Sequence, residues 1–457
     1  MKLIVSPAPH VLSGTVAIPG DKSIGHRALL FSLLSATPVR VLGLGDGADN
    51  GRSAKAITAL GGSITRDGAA LVIAGTGLDG MRAPAAAIDC GNSGTTIRLL
   101  CGLLAGQRFQ TTLFGDESLS KRPMRRVIEP LARMGATISG QPAAQVGGPA
   151  GSPVDALDVT PPLVIGPATA PLGAIDYVLP MASAQVKTAI LLAGLFAGGA
   201  TAVAEPGPSR DHSERMLAYL GAPLATSGRR TVVDTRGWNR RLAGDGFEVP
   251  GDPSSAAFLV VAALLAGAHE VRLPNICINP TRTGFLDAIA AMGGAVTQED
   301  PRMAGPEPVA DLVVRGPAPG LRATDISGDL AVRSIDELPI LGVLAARAHG
   351  TTTVRNAEEL RVKESDRIAT TCAMLRAFGV TCEARADGFV VEGRPDRPLT
   401  AAQVNADGDH RIAMAAAVAA LVADGPTTID DADNVATSYP GFAAALTVLG
   451  GDASSEA

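Results

Sequence analysis

The chain has 457 residues, of which 46% are apolar and 3% are aromatic, and its net charge is −6. The length predicts two or three domains, and the apolar fraction is ample for a core of Ala, Val, Leu and Ile. The acidic balance argues against nucleic acid as the main partner. No apolar run is long enough for a membrane span or a signal peptide, so the sequence predicts a cytoplasmic protein without a membrane partner.

The residues at the start of the chain lack a helix of their own. Residues 1–20 predict two strands, Leu3–Val5 and Gly14–Ile18. From there on, one pattern occurs six times: a polar motif opens an apolar helix, strands and a charged loop follow, and a second helix ends at a glycine. The opening motifs are GDKSIGHRALL, GNSGTTIRLL, SAQVKTAILL, GDPSSAAFLV, IDELPILGVL and GDHRIAMAAA.

Glycine closes the second helix of every repeat. A glycine directly after an apolar helical run predicts a helix stop with positive φ, because glycine has no Cβ to clash. These residues are Gly61, Gly135, Gly221, Gly293, Gly379 and Gly450.

The six repeats form two sets of three, which predict two lobes. One lobe comprises residues 21–249, and the other comprises residues 250–457 with residues 1–20 completing its last repeat. The chain then crosses between the lobes near residues 19–21 and 247–251, where Pro-Gly pairs favour turns and allow a hinge. Each lobe is expected to bury three apolar helices inside strands and outer helices.

Two segments lack these patterns. Residues 141–153, rich in Ala, Gly and Pro, predict a surface loop. Residues 451–457 are expected to fray, as chain ends commonly do.

Motifs for cofactors and metals are absent. The five cysteines form no CxxC pair and no zinc-finger spacing, which predicts buried thiols in a reducing compartment. HExxH, the P-loop, GxGxxG after a strand and the nucleophile elbow are also missing. We therefore predict no cofactor and no metal.

Basic residues cluster at the loops and helix starts, although the whole chain is acidic. Free N–H groups at a helix N-terminus favour an anion, and arginine donates two parallel hydrogen bonds to carboxylate or phosphate. If these residues converge, they form a pocket for small ligands with several anionic groups; the alternative for each is a surface cation. They are Lys22, Arg27, Arg98, Arg122, Lys187, Arg210, Lys363, Arg367 and Arg411.

Two acids are candidate proton carriers. Asp336 opens the apolar helix of SIDELPIL, and Glu364 lies between cations in RVKESDR. A pair of acids in a cationic pocket suits one general base and one proton donor. The alternatives are a plain N-terminal acid for Asp336 and a surface ion-pair ladder for Glu364.

At these motifs the chain resembles the enolpyruvyl transferases, and the resemblance covers essentially the whole chain. It rests on the ordered set GDKSIGHR, GNSGTTIR, KRPM, SAQVK, SRDHSE, GDPSSAAF, IDELP, RVKESDR and DHRIAM. The resemblance implies an α/β (α+β) fold, a two-domain inside-out α/β barrel in which each domain has three βαβαββ repeats with buried helices.

The same resemblance implies an activity on the pathway to chorismate and the aromatic amino acids. The enolpyruvyl (1-carboxyvinyl) group of phosphoenolpyruvate is transferred to the 5-hydroxyl of shikimate 3-phosphate, and phosphate is released by addition and elimination through a tetrahedral intermediate. These two small molecules are the expected partners, the expected cofactor is none, and the expected state is a monomer.

The roles of individual residues follow from the matching motifs. Asp336 is expected to accept the hydroxyl proton, and Glu364 with Lys22 to protonate the methylene carbon. The implied contacts to shikimate 3-phosphate are Lys22, Ser23, Arg27, Ser183, Ala184, Gln185, Ser209, Arg210, Asp336 and Lys363. The implied contacts to phosphoenolpyruvate are Lys22, Asn92, Gly94, Arg122, Gln185, Arg367, His410 and Arg411.

Three positions depart from the family's pattern. Many members have Ser where Ala184 stands, Tyr where His212 stands and Lys near Thr437. Arg210, close to His212 in sequence, is expected to replace a lost contact. Gly94 leaves room for the inhibitor glyphosate, so we predict sensitivity to it.

Two other functions remain open. The sister enzymes transfer enolpyruvyl to UDP-N-acetylglucosamine, but their typical members have a Cys in the loop matching Phe114–Met124 and Lys-Asn where this chain has Lys22-Ser23. A non-catalytic anion-binding protein on the same fold predicts losses among Lys22, Asp336, Glu364 and Arg411, and all four residues are present.

Overall fold

The computed structural model describes residues 1–143, 158–316 and 320–456. Most of the predicted loop 141–153 lies outside these residues. No helix in the described parts of the chain is long and apolar enough to cross a membrane.

Helices follow the polar opening motifs and the charged loops of the repeats. In the described residues the α-helices are α1 (Lys22–Leu33), α2 (Ala48–Ala59), α3 (Gly94–Leu104), α4 (Arg125–Arg133), α5 (Ala184–Gly194), α6 (His212–Tyr219), α7 (Pro253–Ala266), α8 (Gly284–Ala291), α9 (Gly328–Arg333), α10 (Leu338–Ala346), α11 (Arg367–Ala377), α12 (His410–Ala420) and α13 (Phe442–Val448).

Strands alternate with these helices. They are β1 (Lys2–Ser6), β2 (Leu12–Thr15), β3 (Val39–Leu42), β4 (Ser63–Asp67), β5 (Ala70–Ala74), β6 (Ile88–Asp89), β7 (Thr111–Phe114), β8 (Ile138–Pro142), β9 (Val159–Ile165), β10 (Leu172–Gly173), β11 (Asp176–Val178), β12 (Ala197–Gly198), β13 (Ala200–Ala204), β14 (Leu224–Ser227), β15 (Arg230–Asp234), β16 (Gly246–Glu248), β17 (Ala268–Cys277), β18 (Thr297–Ala304), β19 (Glu307–Val314), β20 (Asp325–Ile326), β21 (Thr351–Val354), β22 (Cys382–Arg385), β23 (Gly388–Glu392), β24 (Gln403–Asn405), β25 (Thr427–Asp430) and β26 (Asp452–Glu456).

The repeats share one sheet topology. Each four-stranded sheet has a parallel pair at one edge, followed by two antiparallel partners. The orders are β16-β3-β5-β4, β6-β7-β9-β8, β11-β13-β15-β14, β2-β17-β19-β18, β20-β21-β23-β22 and β24-β25-β1-β26. In four of these sheets a helix joins the two parallel strands, because a parallel connection needs a crossover: β6 and β7, β11 and β13, β20 and β21, and β24 and β25. In the other two sheets the parallel partners, β16 with β3 and β2 with β17, are remote in sequence.

The ends of the chain meet in one sheet. Strand β1 lies between β25 and β26, with Leu3 opposite Ile429 on one side and Ser455 on the other. The prediction that residues 1–20 complete the last repeat therefore holds for β1 but is wrong for β2, which pairs with β17. The prediction that the C-terminal residues fray is wrong for Asp452–Glu456, because this segment forms strand β26 and its backbone groups pair with β1.

The chain divides into two compact units. The C-terminal unit comprises residues 1–21, 45–47 and 250–457, and the N-terminal unit comprises residues 22–44 and 48–249.

Three apolar helices lie inside each unit, α1, α3 and α5 in one and α7, α10 and α12 in the other. Helices that are apolar nearly all round must be buried on all sides. A small residue at the contact lets α3 and α5 approach closely: a Cβ on Gly102 would lie 2.6 Å from the Cα of Ala189.

The predicted helix stops are confirmed. Their φ values run from +74° at Gly379 to +99° at Gly61 and Gly450. Any residue with a Cβ would be strained at these positions, so the closing glycine of each repeat has a conformational cause.

Candidate active site

The three buried helices of the N-terminal unit begin at the predicted polar motifs. Ser93 caps α3, because its side chain accepts a hydrogen bond from the amide of Thr96, and Ser183 caps α5 in the same way from Val186. The remaining amides at these helix starts carry partial positive charge, which favours an anion.

Lys22 and Ser23 occupy the first turn of α1. The ammonium of Lys22 lies 3.2 Å from a carboxylate oxygen of Asp49, and the Lys22 side chain is 22% exposed. The hydroxyl of Ser23 accepts a hydrogen bond of 3.2 Å from Arg210. The structure thus brings Arg210 next to Ser23, two residues that the sequence placed on the same substrate.

Arg27 is more deeply buried than Lys22, the other cation of α1. Its guanidinium donates to the hydroxyl of Ser213 at 2.7 Å, to the hydroxyl of Thr188 at 3.2 Å and to the carbonyl of Ser23 at 2.9 Å. These bonds tie α1 to α5 and α6, so Arg27 fixes the relative positions of three helices that carry predicted site residues.

A second cluster surrounds the start of α3. Arg122 donates to the side-chain oxygen of Asn92 at 2.8 Å, and Arg98 donates to that of Gln185 at 3.0 Å. A Cβ on Gly94 would lie 2.7 Å from Arg98 and 3.1 Å from Arg122. Both guanidinium groups therefore face the bare backbone of Gly94, where an anionic ligand can approach.

The segment before α5 lines a cavity of about 320 Å³. Ser183 borders this cavity together with Arg125 and Arg126.

The hydroxyl of Ser209 is buried and has no hydrogen-bond partner among the described residues. An unpartnered buried hydroxyl is costly, so it is available to a ligand.

Lys187 is neutralised by two buried acids of the same unit. Its ammonium lies 2.5 Å from Glu205 and 2.7 Å from Glu214, and all three side chains are at most 7% exposed. Burial would lower the pKa of Lys187, but the two carboxylates outweigh it and raise that pKa. The grouping of Lys187 with the ligand-binding cations is therefore wrong, because its charge is neutralised internally.

In the C-terminal unit, Arg367 joins three acids. Its buried guanidinium contacts Asp409 at 2.8 Å, Asp336 at 3.2 Å and Glu364 at 2.6 Å. Burial favours a lower pKa for Arg367, but the three carboxylates raise it well above its ordinary value. The structure thus places both predicted proton carriers on one guanidinium.

His410 and Arg411 are the first two residues of α12, and Arg411 lies next to Asp336. Arg411 donates to the carbonyl of Asp336 at 3.1 Å, and its guanidinium lies 3.7 Å from the Asp336 carboxylate. His410 is buried. The ammonium of Lys363 pairs with a different acid, Glu359, at 3.0 Å.

Asp409 is a central residue that the sequence analysis did not single out. It is fully buried, caps α12 through the amide of Arg411 and accepts hydrogen bonds from Arg367 and Ser365. Burial would raise the pKa of Asp409, yet the charge of Arg367 outweighs it and the pKa is lowered. An acid directly before an apolar helix is the signal that could have identified this cap.

The sequence analysis also did not single out Arg282, which is buried like Arg367. Arg282 contacts Asp21 at 2.6 Å and Asp252 at 3.0 Å, and it donates to the hydroxyl of Ser254 at 2.9 Å. Ser254 in turn donates to Glu337, the neighbour of Asp336. Arg282 therefore joins the segment before Lys22 to the helix start that carries Asp336.

The described residues contain no group of three or more His, Cys, Asp and Glu side chains arranged to hold a metal ion.

Comparisons with known proteins give one consistent answer. A sequence model of EPSP synthase (3-phosphoshikimate 1-carboxyvinyltransferase) matches residues 7–446. A 3-phosphoshikimate 1-carboxyvinyltransferase of Geobacter sulfurreducens is 47% identical over 446 residues, covering 98% of this chain and 99% of that one. That of Alkalilimnicola ehrlichii is 47% identical over 441 residues, covering 94% and 92%.

A solved structure supports the same conclusion. The EPSP synthase of Acinetobacter baumannii superposes with a TM-score of 0.85 at 38% identity, covering 99% of this chain and 100% of that one. The repeated βαβαββ fold and the cation-rich helix starts are those of an enolpyruvyl transferase, and the predicted fold class is confirmed. Within that class, the chain belongs to the EPSP synthase family.

Proposed function

We propose that this enzyme transfers the enolpyruvyl group of phosphoenolpyruvate to the 5-hydroxyl of shikimate 3-phosphate and releases phosphate. The observation that carries the proposal is the match over residues 7–446 to the EPSP synthase family together with retention of its motifs. The reaction belongs to the shikimate pathway that supplies the aromatic amino acids.

The charge of the substrates accounts for the residues of the N-terminal unit. Each substrate carries one phosphate and one carboxylate, so binding needs several cations and helix amides. Lys22, Asn92, Gly94, Arg122 and Gln185 bind phosphoenolpyruvate in this proposal, since the last four surround the start of α3. The groups proposed for shikimate 3-phosphate in this unit are Lys22, Ser23, Arg27, Ser183, Ala184, Gln185, Ser209 and Arg210.

The C-terminal unit supplies the proton carriers. Asp336 takes the proton of the 5-hydroxyl while that oxygen attacks C2 of phosphoenolpyruvate, and Glu364 with Lys22 delivers a proton to C3. The product of this addition is a tetrahedral intermediate. Loss of a proton from C3 and departure of phosphate from C2 then restore the double bond. The groups proposed to bind the substrates here are Asp336, Lys363, Arg367, His410 and Arg411.

Arg367 also explains how two acids can share this site. A guanidinium between Asp336 and Glu364 screens their mutual repulsion, so one acid can accept a proton while the other donates. The side chain of Asp336 is 12% exposed and that of Glu364 is 20% exposed, whereas the side chain of Arg367 is buried. The acids are thus accessible to a ligand, while the arginine organises them.

We further propose that the predicted lobes, 21–249 and 1–20 with 250–457, act on the same pair of substrates and close around them at the crossings near 19–21 and 247–251. Bound anions would attract cations of both lobes, so the ligands should favour the closed form. Small-angle scattering with both ligands should show a smaller radius of gyration; an unchanged radius would refute closure.

We also propose that the enzyme is a cytoplasmic monomer without membrane partners, and its net charge of −6 argues against a nucleic-acid partner. Light scattering coupled to size exclusion tests the monomer directly.

A phosphate-release assay tests the function. Phosphate should appear with phosphoenolpyruvate and shikimate 3-phosphate, and not with UDP-N-acetylglucosamine as the acceptor; the reverse result would assign the sister activity. Asp336→Asn and Glu364→Gln should each lower kcat by about 10²-fold or more, the size of a lost general acid or base. Asp325→Asn is the control, since Asp325 pairs with Arg355 at 50% exposure, away from these acids. No release with either acceptor would contradict the proposal.

A further inference from the structure

His26 is a buried polar residue that the proposed mechanism does not use. It lies on α1, four residues after Lys22, and is 1% exposed. The sequence motif GDKSIGHR includes it without giving it a role. A buried imidazole must satisfy both ring nitrogens, so its partners reveal what it does.

The ring contacts three hydroxyl groups from two other helices. Nδ1 lies 2.8 Å from the hydroxyl of Ser53 on α2, and 3.4 Å from that of Thr96 on α3. Nε2 lies 3.4 Å from the hydroxyl of Ser93, the residue that caps α3. Ser53 and Thr96 are themselves 2.9 Å apart.

The direction of these hydrogen bonds is determined at Ser93. Its oxygen accepts from the backbone amide of Thr96 at 3.1 Å and from the Thr96 hydroxyl at 2.9 Å. A hydroxyl has two lone pairs and one proton. Because both lone pairs are in use, Ser93 can only donate to Nε2 of His26, which must therefore carry no proton.

The rest of the network then follows. Nδ1 of a neutral His26 carries the proton and donates to Ser53, and Ser53 donates to Thr96. Thr96 donates to Ser93, which donates back to Nε2. Every hydroxyl donates once in a closed ring, an arrangement in which neighbouring hydrogen bonds strengthen one another.

We propose that His26, as the neutral Nδ1–H tautomer, is a positioning residue that holds the start of α3 in place relative to the start of α1. This inference rests on the proposed function, in which Lys22 on α1 and Asn92 and Gly94 at α3 bind phosphoenolpyruvate. His26 touches neither substrate. A displacement of one helix start by about 1 Å is enough to cost up to 10²-fold in rate.

The experiment compares His26→Phe, which keeps an aromatic ring but has no hydrogen-bonding atoms, with His26→Asn, whose amide retains a donor near the position of Nδ1. His26→Phe should raise the KM of phosphoenolpyruvate about tenfold and change that of shikimate 3-phosphate less than twofold, and His26→Asn should recover most of the loss. His269→Phe, an exposed histidine, is the matched control.

A spectroscopic measurement tests the tautomer without using activity. Nitrogen-15 spectra of histidine-labelled enzyme at pH 7.5 should show His26 protonated at Nδ1 only. A protonated Nε2, or equal increases in both KM values, would overturn the inference. If His26→Phe does not fold, Ser53→Ala must reproduce the selective shift, because it removes the acceptor of Nδ1. An inactive wild-type enzyme would reject the proposed function, whereas the spectrum would still test the network.

Discussion

Replacement of Asp409 by asparagine should destabilise the C-terminal unit and impair the site together. The carboxylate of Asp409 is fully buried and contacts Arg367 through both oxygens, at 2.8 Å and 3.2 Å. It also accepts from the hydroxyl of Ser365 and the amide of Arg411. Asparagine keeps the shape but removes the charge that Arg367 needs.

The magnitude follows from the burial of the pair. Breaking a buried ion pair by removing one partner costs about 3–5 kcal/mol. We take ~3 kcal/mol because Arg367 keeps Asp336 and Glu364 as partners. With an m-value of about 3 kcal/mol/M, the urea midpoint of this unit should fall by about 1 M.

The contribution of the Asp409 carboxylate to the stability of the folded protein should decrease at acidic pH. Its pKa in the folded protein is lowered, so it binds a proton less readily when folded than when unfolded. Its stabilising contribution is therefore complete above the unfolded value of about 3.9 and is lost as pH falls through the folded pKa. The difference between wild type and Asp409→Asn should narrow below about pH 4.

Urea titrations followed by far-ultraviolet circular dichroism, at pH 7 and in steps down to pH 3.5, measure both effects. Asp325→Asn is the control in the same unit, since its ion pair with Arg355 is half exposed and such pairs contribute little. An Asp409→Asn midpoint equal to that of the control at pH 7 would refute the reasoning.

Three further predictions concern other parts of the chain. Gly94→Ala should raise the KM of phosphoenolpyruvate and weaken inhibition by glyphosate with little change in stability, because its Cβ would lie 2.7 Å from the movable end of Arg98; steady-state kinetics measure this. Lys187→Met should lower the urea midpoint more at pH 8 than at pH 5, because burial raises the pKa of Glu214 above its unfolded value and its ionised form then lacks a counter-charge; equal losses at both values would contradict this. All five thiols are buried, and burial raises the pKa of Cys101 to about 12, so Ellman's reagent at pH 8 should react with less than one thiol in the native enzyme and with five in guanidinium.

The repeats and their helix starts could be predicted because their signals are local. Ser93 and Ser183 each precede an apolar run and cap its first turn, and a Gly after the second helix of a repeat takes positive φ. Gly61 and Gly450 are far apart in sequence and have the same φ of +99°. The ordered motifs were also sufficient to recognise the family, since they span almost the whole chain.

The ion-pair partners of the motif cations could not be predicted, because they depend on which distant residues the fold brings together. Lys187 resembled the other motif cations, yet Glu205 and Glu214 enclose it. Arg367 was expected to bind a substrate, and only the fold shows its contact with Asp409. Local patterns cannot distinguish a cation that faces solvent from one that faces a buried acid.

The sequence alone therefore determined the repeat, the buried helices and the polar residues at their N-termini, since each depends on neighbours within a few turns. The tertiary structure decided which charges are neutralised internally, which strand completes each sheet, and how His26 joins α1 to α3. These outcomes depend on contacts between residues remote in sequence, such as the bond of Arg27 to Ser213, 186 positions away. Burial gives such contacts their strength, and burial exists only once the chain has folded.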